Sequence, residues 1–259
     1  MMEFTFWYMV IATLAAVVLA VVLVRQRIKQ KDLEKLIAHN NTRLEQLQLN
    51  FGRFAPQDVI EHLTGGDGEY EPEMRSVTVL FADIKGFTKM CDKMDPATVV
   101  TILNGYFQCM TESLAKHHGE VTEMMGDGLL ALFGAINTNP WQVQDAVQGA
   151  LAMRKALVEY NNELKSKGFP ELSIGIGIHQ GDVLAGIMGN YELSKFGVVG
   201  DTINVASRVE GLTRIHDVDL LVTEEVKTKL DDRFRLRQMP AHQVKGKEEL
   251  IVTYLVEDS

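Results

Sequence analysis

The sequence predicts a domain of mixed α and β structure, either α/β or α+β, with a central sheet covered by helices. Two observations carry this. Short apolar runs with strand character recur at 76–84, 120–125, 128–134, 172–179, 219–222 and 250–256. Between them lie segments of helical periodicity at 95–117, 140–166, 201–214 and 223–230. Strands that alternate with helices point to one sheet with helices packed on it. No internal repeat and no low-complexity tract interrupts the pattern. Gly119 marks the stop between the first long helix and the strand that follows.

The first 73 residues read differently. From Phe4 to Val24 there are 21 residues without a charge, about the length a helix needs to cross a bilayer. Trp7 and Tyr8 sit at its outer end, and Arg25, Arg27, Lys29 and Lys31 follow it. Positive charge on the C-terminal side predicts a single-pass anchor in the inner (plasma) membrane, residues 1–25, with the bulk of the chain cytoplasmic. A cleaved signal peptide carries its positive charges before the apolar run, so it fits this order less well. Residues 26–54 predict a helical stalk. Leu33, Ile37, Asn40, Leu44, Leu47, Phe51 and Phe54 are spaced 4, 3, 4, 3, 4, 3, the seam of a short parallel coiled coil with Asn40 as a register-setting polar position. A lone solvated amphipathic helix is the alternative. Residues 55–73 read as a short helix and a Gly- and Glu-rich linker. Residues 74–259 form the predicted globular domain.

Composition narrows the function. With 26 basic against 35 acidic side chains, the net charge is -9, which argues against a nucleic-acid surface. Two cysteines, Cys91 and Cys109, are too few for a disulfide framework and have no metal-type spacing.

The chemistry concentrates at two aspartates. Asp83 ends the apolar run from Val77, and Asp127 lies in Gly126-Asp127-Gly128 between two apolar strands, the pattern of a hairpin tip. Two carboxylates brought into an apolar layer repel each other unless a cation sits between them. Hard divalent ions take such oxygen ligands and commonly hold substrate phosphates too. After Asp83, the segment Ile84-Lys85-Gly86-Phe87-Thr88 reads as a tight strand-to-helix turn whose backbone N–H groups can face an anion. In the segment from Val198 to Glu210, Asn204 and Arg208 are four apart and share one helical face. An amide and a guanidinium projecting together can orient a ribose and neutralise phosphoryl charge. Lys245, before Gly246, can reach phosphates as a point charge.

Taken together, residues 77–88, 126–134, 178–182, 200–208 and 244–247 resemble the motifs of class III nucleotidyl cyclases, the adenylyl and guanylyl cyclases. The segment 51–56 resembles the short transducer element of bacterial members. The resemblance covers about residues 74–256. It implies a ferredoxin-like βαββαβ core, so an α+β fold, working as a head-to-tail homodimer. It implies that Asp83, Asp127 and the backbone carbonyl of Ile84 bind two Mg²⁺ or Mn²⁺ ions, that Asn204 orients the ribose, that Arg208 stabilises the transition state and that Lys245 holds the terminal phosphates. One protomer then supplies the metal ligands, and its partner the base-reading residues, the Asn, the Arg and the Lys. The product is a 3′,5′-cyclic monophosphate, with pyrophosphate released.

Two positions bear on the base. Family adenylyl cyclases carry Lys four residues before the second metal Asp and Asp or Thr three before the Gly of the Gly-Asp segment. Here these are Glu123 and Gly197. A carboxylate accepts both Watson–Crick-edge donors of guanine and repels N1 of adenine, so Glu123 favours GTP. Gly197 offers no side chain to either base, which keeps ATP as the alternative. Two further alternatives are an inactive cyclase-like dimerisation module, which the presence of both aspartates, Asn204 and Arg208 disfavours, and a diguanylate cyclase, whose signature is missing.

Overall fold

The computed structural model describes residues 25–43 apart from 28 and 32, and residues 71–257 apart from 93, 190–193 and 244–249. The chain divides into two units, Met1–Ile60 and Glu61–Ser259. In the first, the described residues are helical, and Leu33 and Ile37 of the predicted seam are exposed. The predicted anchor over 4–24, the seam beyond residue 43 and the linker to residue 70 lie outside the described residues. Among the described residues, no helix is long and apolar enough to cross a membrane.

The second unit opens with β1 (Glu73–Ile84), a short helix α1 (Phe87–Cys91) and the long helix α2 (Pro96–Ala115). The hairpin β2 (Glu120–Met125) and β3 (Gly128–Phe133) follows, then α3 (Gln142–Ser166) and β4 (Ile174–Gly189). These give β1-α2-β2-β3-α3-β4 with spatial order β2-β3-β1-β4 and every neighbouring pair antiparallel. This is the expected ferredoxin-like βαββαβ core. The chain continues through β5 (Ser194–Val199), α4 (Asp201–His216), β6 (Leu220–Thr223) and α5 (Glu224–Lys227). It ends with β7 (Leu236–Gln238), β8 (His242–Gln243), β9 (Leu250–Ile251) and β10 (Thr253–Val256). β6 adds to β4 in parallel, and β10 and β7 extend the sheet beyond it. The mixed sheet with helices confirms α+β.

The two faces of the sheet are built from different residues. Leu80, Ala82 and Ile84 of β1 point to one face with Leu129, Ala131 and Phe133 of β3 and Ile174, Ile176 and Ile178 of β4. Helices α2 and α3 cover this face through stripes at helical spacing: Ile102, Tyr106, Met110 and Leu114, and Val143, Ala146, Val147, Ala150 and Met153. Asp95 starts α2 by accepting from the Thr98 amide at 3.0 Å, with Pro96 in the first turn.

On the opposite face the alternation Ile174-Gly175-Ile176-Gly177-Ile178 places two glycines under α4. A Cβ on Gly177 would stand 2.1 Å from the Glu210 amide nitrogen and 2.7 Å from the Ala206 carbonyl oxygen. The backbones of β4 and α4 therefore touch, and this contact sets how close α4 lies to the end of β1.

Several elements depart from the sequence reading. β4 runs ten residues past the predicted end at 179 and turns back as β5, which was not foreseen. Gly181, Gly186 and Gly189 give this stretch the composition of a loop, yet Gly186 is required by Pro72, whose Cα would lie 3.1 Å from an added Cβ. The predicted strand 250–256 is split: β9 pairs with β8 in a separate ribbon, while β10 joins the main sheet. Strands β7 and β8 fall where the sequence shows no strand signal, and the helix expected over 223–230 is shorter, Glu224–Lys227.

Gly177→Ala is expected to destabilise the domain by about 2–3 kcal/mol, because backbone cannot yield to the added methyl. Gly211→Ala, also in the α4 region but with open space around the added Cβ, should stabilise by about 0.5–1 kcal/mol. Thermal and urea denaturation of the two variants checks the contrast.

Candidate active site

The register of β1 and β3 brings the two aspartates together. Ala82 faces Leu129, so the next position along β1, Asp83, lies beside the end of the hairpin. The turn Gly126-Asp127 joins Met125 to Gly128, which are paired. Gly126 has φ 64°, the left-handed value that the first position of a tight hairpin turn demands. A methyl on Gly128 would come 3.4 Å from Asp83 Oδ1. The carboxyl of Asp127 is pushed up to about 6, first by burial and then by the charge of Asp83, with Arg214 acting in the opposite sense.

Asp83 shares the α4 face of the sheet, opposite Gly175 of β4. The guanidinium of Arg214, in the last turn of α4, donates to Asp83 Oδ2. One turn earlier, Glu210 stands 3.5 Å from the same guanidinium. Burial pushes the Glu210 carboxyl up to about 7. On the other face, the Tyr106 hydroxyl is fully buried and has no hydrogen-bond partner among the described residues. Burial raises its phenol, and both aspartates add to the shift.

Past Ile84 the chain turns tightly. The Lys85 amide donates to the Ser173 carbonyl at 2.8 Å, and its ammonium to the Val218 carbonyl at 2.7 Å. Gly86, φ 72°, turns the chain into α1 at Phe87, with Thr88 exposed and Phe87 packed on the core. The predicted strand-to-helix turn is present.

Asn204, Arg208, Glu123 and Gly197 lie on other elements than the aspartate pair. Asn204 is exposed on α4, and Arg208 is partly buried with Nη1 lacking a hydrogen-bond partner among the described residues. Six residues separate Arg208 from Arg214, which turns their side chains about 120° apart around the helix axis. Arg208 thus projects from a different side of α4 than Arg214, while Asn204, ten residues before Arg214, stands about 80° from it. Glu123 is half-buried on β2 opposite Leu130, next to a register shift after Val121. Because Leu130 also faces Phe81, Glu123 is on the same sheet face as Asp83. Gly197 lies on β5 opposite Gly186, and β3, β1 and β4 stand between its strand and that of Glu123 in the strand order. Lys245 lies outside the described residues.

Residues 69–258 match the sequence family described as the adenylate and guanylate cyclase catalytic domain. The chain belongs to this family. Its relatives include an adenylate cyclase of Anabaena cylindrica, 35% identical over 218 residues that cover 80% of this chain and 42% of the relative. Another is adenylate cyclase 1 of Rhizobium meliloti, 28% identical, covering 80% of this chain and 31% of the relative. The chain thus spans a third to two-fifths of the length of these relatives. Among solved structures, the guanylyl cyclase Cya2 is 31% identical with a TM-score of 0.67, over 71% of this chain and 93% of that one. The adenylyl cyclase CyaB from P. aeruginosa is 26% identical with a TM-score of 0.68, over 73% and 97%.

Sequence reasoning missed Arg214, Glu210 and Tyr106. The first two are four apart on a helix, a visible ion-pair spacing, but only the tertiary packing of α4 on β4 places that pair beside Asp83. Tyr106 reads as one more apolar position of α2.

The raised carboxyl of Asp127 predicts a pH dependence. The unfolded side chain titrates near 3.8 and the folded one near 6, so the folded state holds the proton more tightly. Stability is therefore lost as pH rises from about 4 to about 6, and the full penalty is present above 6. In metal-free buffer at pH 7, Asp127→Asn should stabilise the protein by about 1 kcal/mol, a value discounted for partial exposure. The gain should shrink as pH falls toward 4, as thermal denaturation across that range will show.

Proposed function

We propose that the chain is a purine nucleotide cyclase that converts GTP to 3′,5′-cyclic GMP and pyrophosphate at the interface of a homodimer. The observation that carries the reading is the aspartate pair, Asp83 and Asp127, held side by side at adjacent strand ends in a member of the cyclase family. In the reaction the ribose 3′-oxygen forms a bond to the α-phosphorus. The bond from that phosphorus to the bridging oxygen of the β-phosphate breaks, and the hydroxyl proton leaves to solvent.

The donor set suits Mg²⁺ or Mn²⁺. Two carboxylates and the carbonyl oxygen of Ile84 are hard oxygen ligands, and the mutual repulsion at Asp127 is what a cation relieves. Among the described residues no group of three or more His, Cys, Asp or Glu side chains could hold a metal alone, so the other positions fall to water and substrate phosphates. Two bound ions would acidify the 3′-hydroxyl and screen the phosphates.

Each remaining residue takes the role that its chemistry suits. Asn204 orients the ribose, Arg208 neutralises charge on the reacting phosphoryl group and Lys245 holds the terminal phosphates. Gly86, Phe87 and Thr88 form the turn that receives the triphosphate. The angular separation on α4 between Arg208 and Arg214 supports a shared site, in which Asn204 and Arg208 serve the aspartates of the second copy. A two-fold arrangement of this kind yields two equivalent sites.

Glu123 supports guanine, since an ionised carboxylate accepts from N1–H and N2–H₂ together. The second reading is ATP to cyclic AMP. It is favoured by the names of the Anabaena and Rhizobium relatives, and Gly197, which offers no side chain to either base, leaves it open. We place the catalytic domain in the cytoplasm on a single-pass anchor formed by residues 4–24, with the stalk keeping two copies together.

Purified full-length protein given GTP or ATP with Mg²⁺ or Mn²⁺ should make chiefly cyclic GMP, and Glu123→Lys should shift the preference toward ATP. Cyclic AMP alone from the wild type contradicts the Glu123 assignment. Asp83→Ala should lower either activity more than about 100-fold; unchanged turnover would refute the enzymatic reading.

A further inference from the structure

We propose that Arg214 is a tethered counter-cation that occupies Asp83 until the divalent ion displaces it, and that it thereby sets the metal affinity of the site. The inference rests on reading Asp83 and Asp127 as the metal ligands. It goes beyond that reading because it assigns a residue of the metal-bearing protomer that none of the motifs contains.

Arg214 is held in place from three sides. Its guanidinium donates to Asp83 Oδ2 and lies 3.5 Å from both carboxylate oxygens of Glu210. Glu210 is four residues earlier on the same helical face, so it steadies the long side chain. The residue sits in the last turn of α4, where the unpaired carbonyls favour a cation. The position of the turn is fixed in turn by the backbone contact of α4 on Gly177.

Two other cations among the described residues are committed elsewhere. The Lys85 ammonium donates to the Val218 carbonyl. Arg154 pairs with Asp219 and the Val256 carbonyl. Arg214 is thus the cation given to Asp83 among the described residues.

A divalent ion and this guanidinium compete for the same place. The oxygen that accepts from Arg214 cannot offer that lone pair to a metal. A dication between Asp83 and Asp127 would also stand within a few ångströms of a fixed positive charge, a costly arrangement. Metal binding therefore has to release Arg214. The side chain is 43% exposed, so it can leave toward solvent without opening the core. The acidic triphosphate that arrives with the metal gives the released guanidinium a new anion. The ion pair keeps the empty site ordered and makes the metal bind weakly on its own, so that cation and nucleotide bind together.

The experiment is a Mn²⁺ titration of the full chain without nucleotide, reading free Mn²⁺ by electron paramagnetic resonance, for wild type, Arg214→Ala, Arg214→Gln and Asp83→Asn. Both Arg214 variants should bind Mn²⁺ about fivefold more tightly, the upper range for a part-exposed ion pair. Their melting temperatures in chelator should fall, and added Mn²⁺ should raise them more than it raises that of the wild type. Two neutral replacements of different shape guard against a local packing effect. Wild-type or weaker Mn²⁺ affinity in both Arg214 variants, with binding lost in Asp83→Asn, overturns the role of Arg214 alone. Undiminished binding in Asp83→Asn overturns the metal-site reading and this proposal with it.

Discussion

The repulsion between Asp83 and Asp127 is the constraint on which the rest of the site depends. The sheet does not relieve it. The β1–β3 register and the tight Gly126-Asp127 turn force the two carboxylates together, and Asp127 resists ionisation, first through burial and then through the charge of Asp83. A fold that held such a pair for stability alone would gain by replacing one member with a neutral side chain. Keeping both makes sense as a place reserved for added positive charge. In the protein by itself, Arg214 supplies that charge; in the working enzyme the account assigns it to metal and substrate.

The scaffold that maintains the pair is made of unusual packing as much as of apolar burial. Isoleucines of β4 anchor one face of the sheet, and the glycines between them admit α4 to van der Waals contact with the strand backbone. Helix α4 then does two things with two faces. Arg214 reaches Asp83 with Glu210 beside it, while Arg208 projects about 120° around the helix from Arg214. That division of one helix is the physical basis for expecting a second copy: the guanidinium suited to phosphoryl charge leaves the helix on another side than the one that meets the chain's own Asp83.

Much of this was legible in the sequence, for definite reasons. The strand ends at Asp83 and the hairpin at Asp127 are local patterns, set by apolar runs and by a glycine in a turn. The four-residue spacing of Asn204 and Arg208 needs only a helix, and the helix is there. What escaped was non-local. The second half of β4 looks like a loop because its Gly186 and Gly181 lie tight against distant neighbours, Pro72 and Thr202, rather than in a turn. Arg214 and Tyr106 gain meaning only from the packing of α4 and α2 against opposite faces of the sheet at β1. Glu123 was legible as chemistry, but its place on the same sheet face as Asp83 required the strand register.

The central claim is that the aspartates of one copy work with Asn204 and Arg208 of another. The most direct measurement mixes two single variants, Asp83→Ala and Arg208→Ala, each expected to be inactive alone, and follows cyclic nucleotide formation after subunit exchange. Half of the dimers in an equal mixture are mixed, and each of these holds one intact site of two. Activity should therefore return to about a quarter of the wild-type value. A mixture as inactive as its components, with exchange verified by a labelled subunit, would contradict the account.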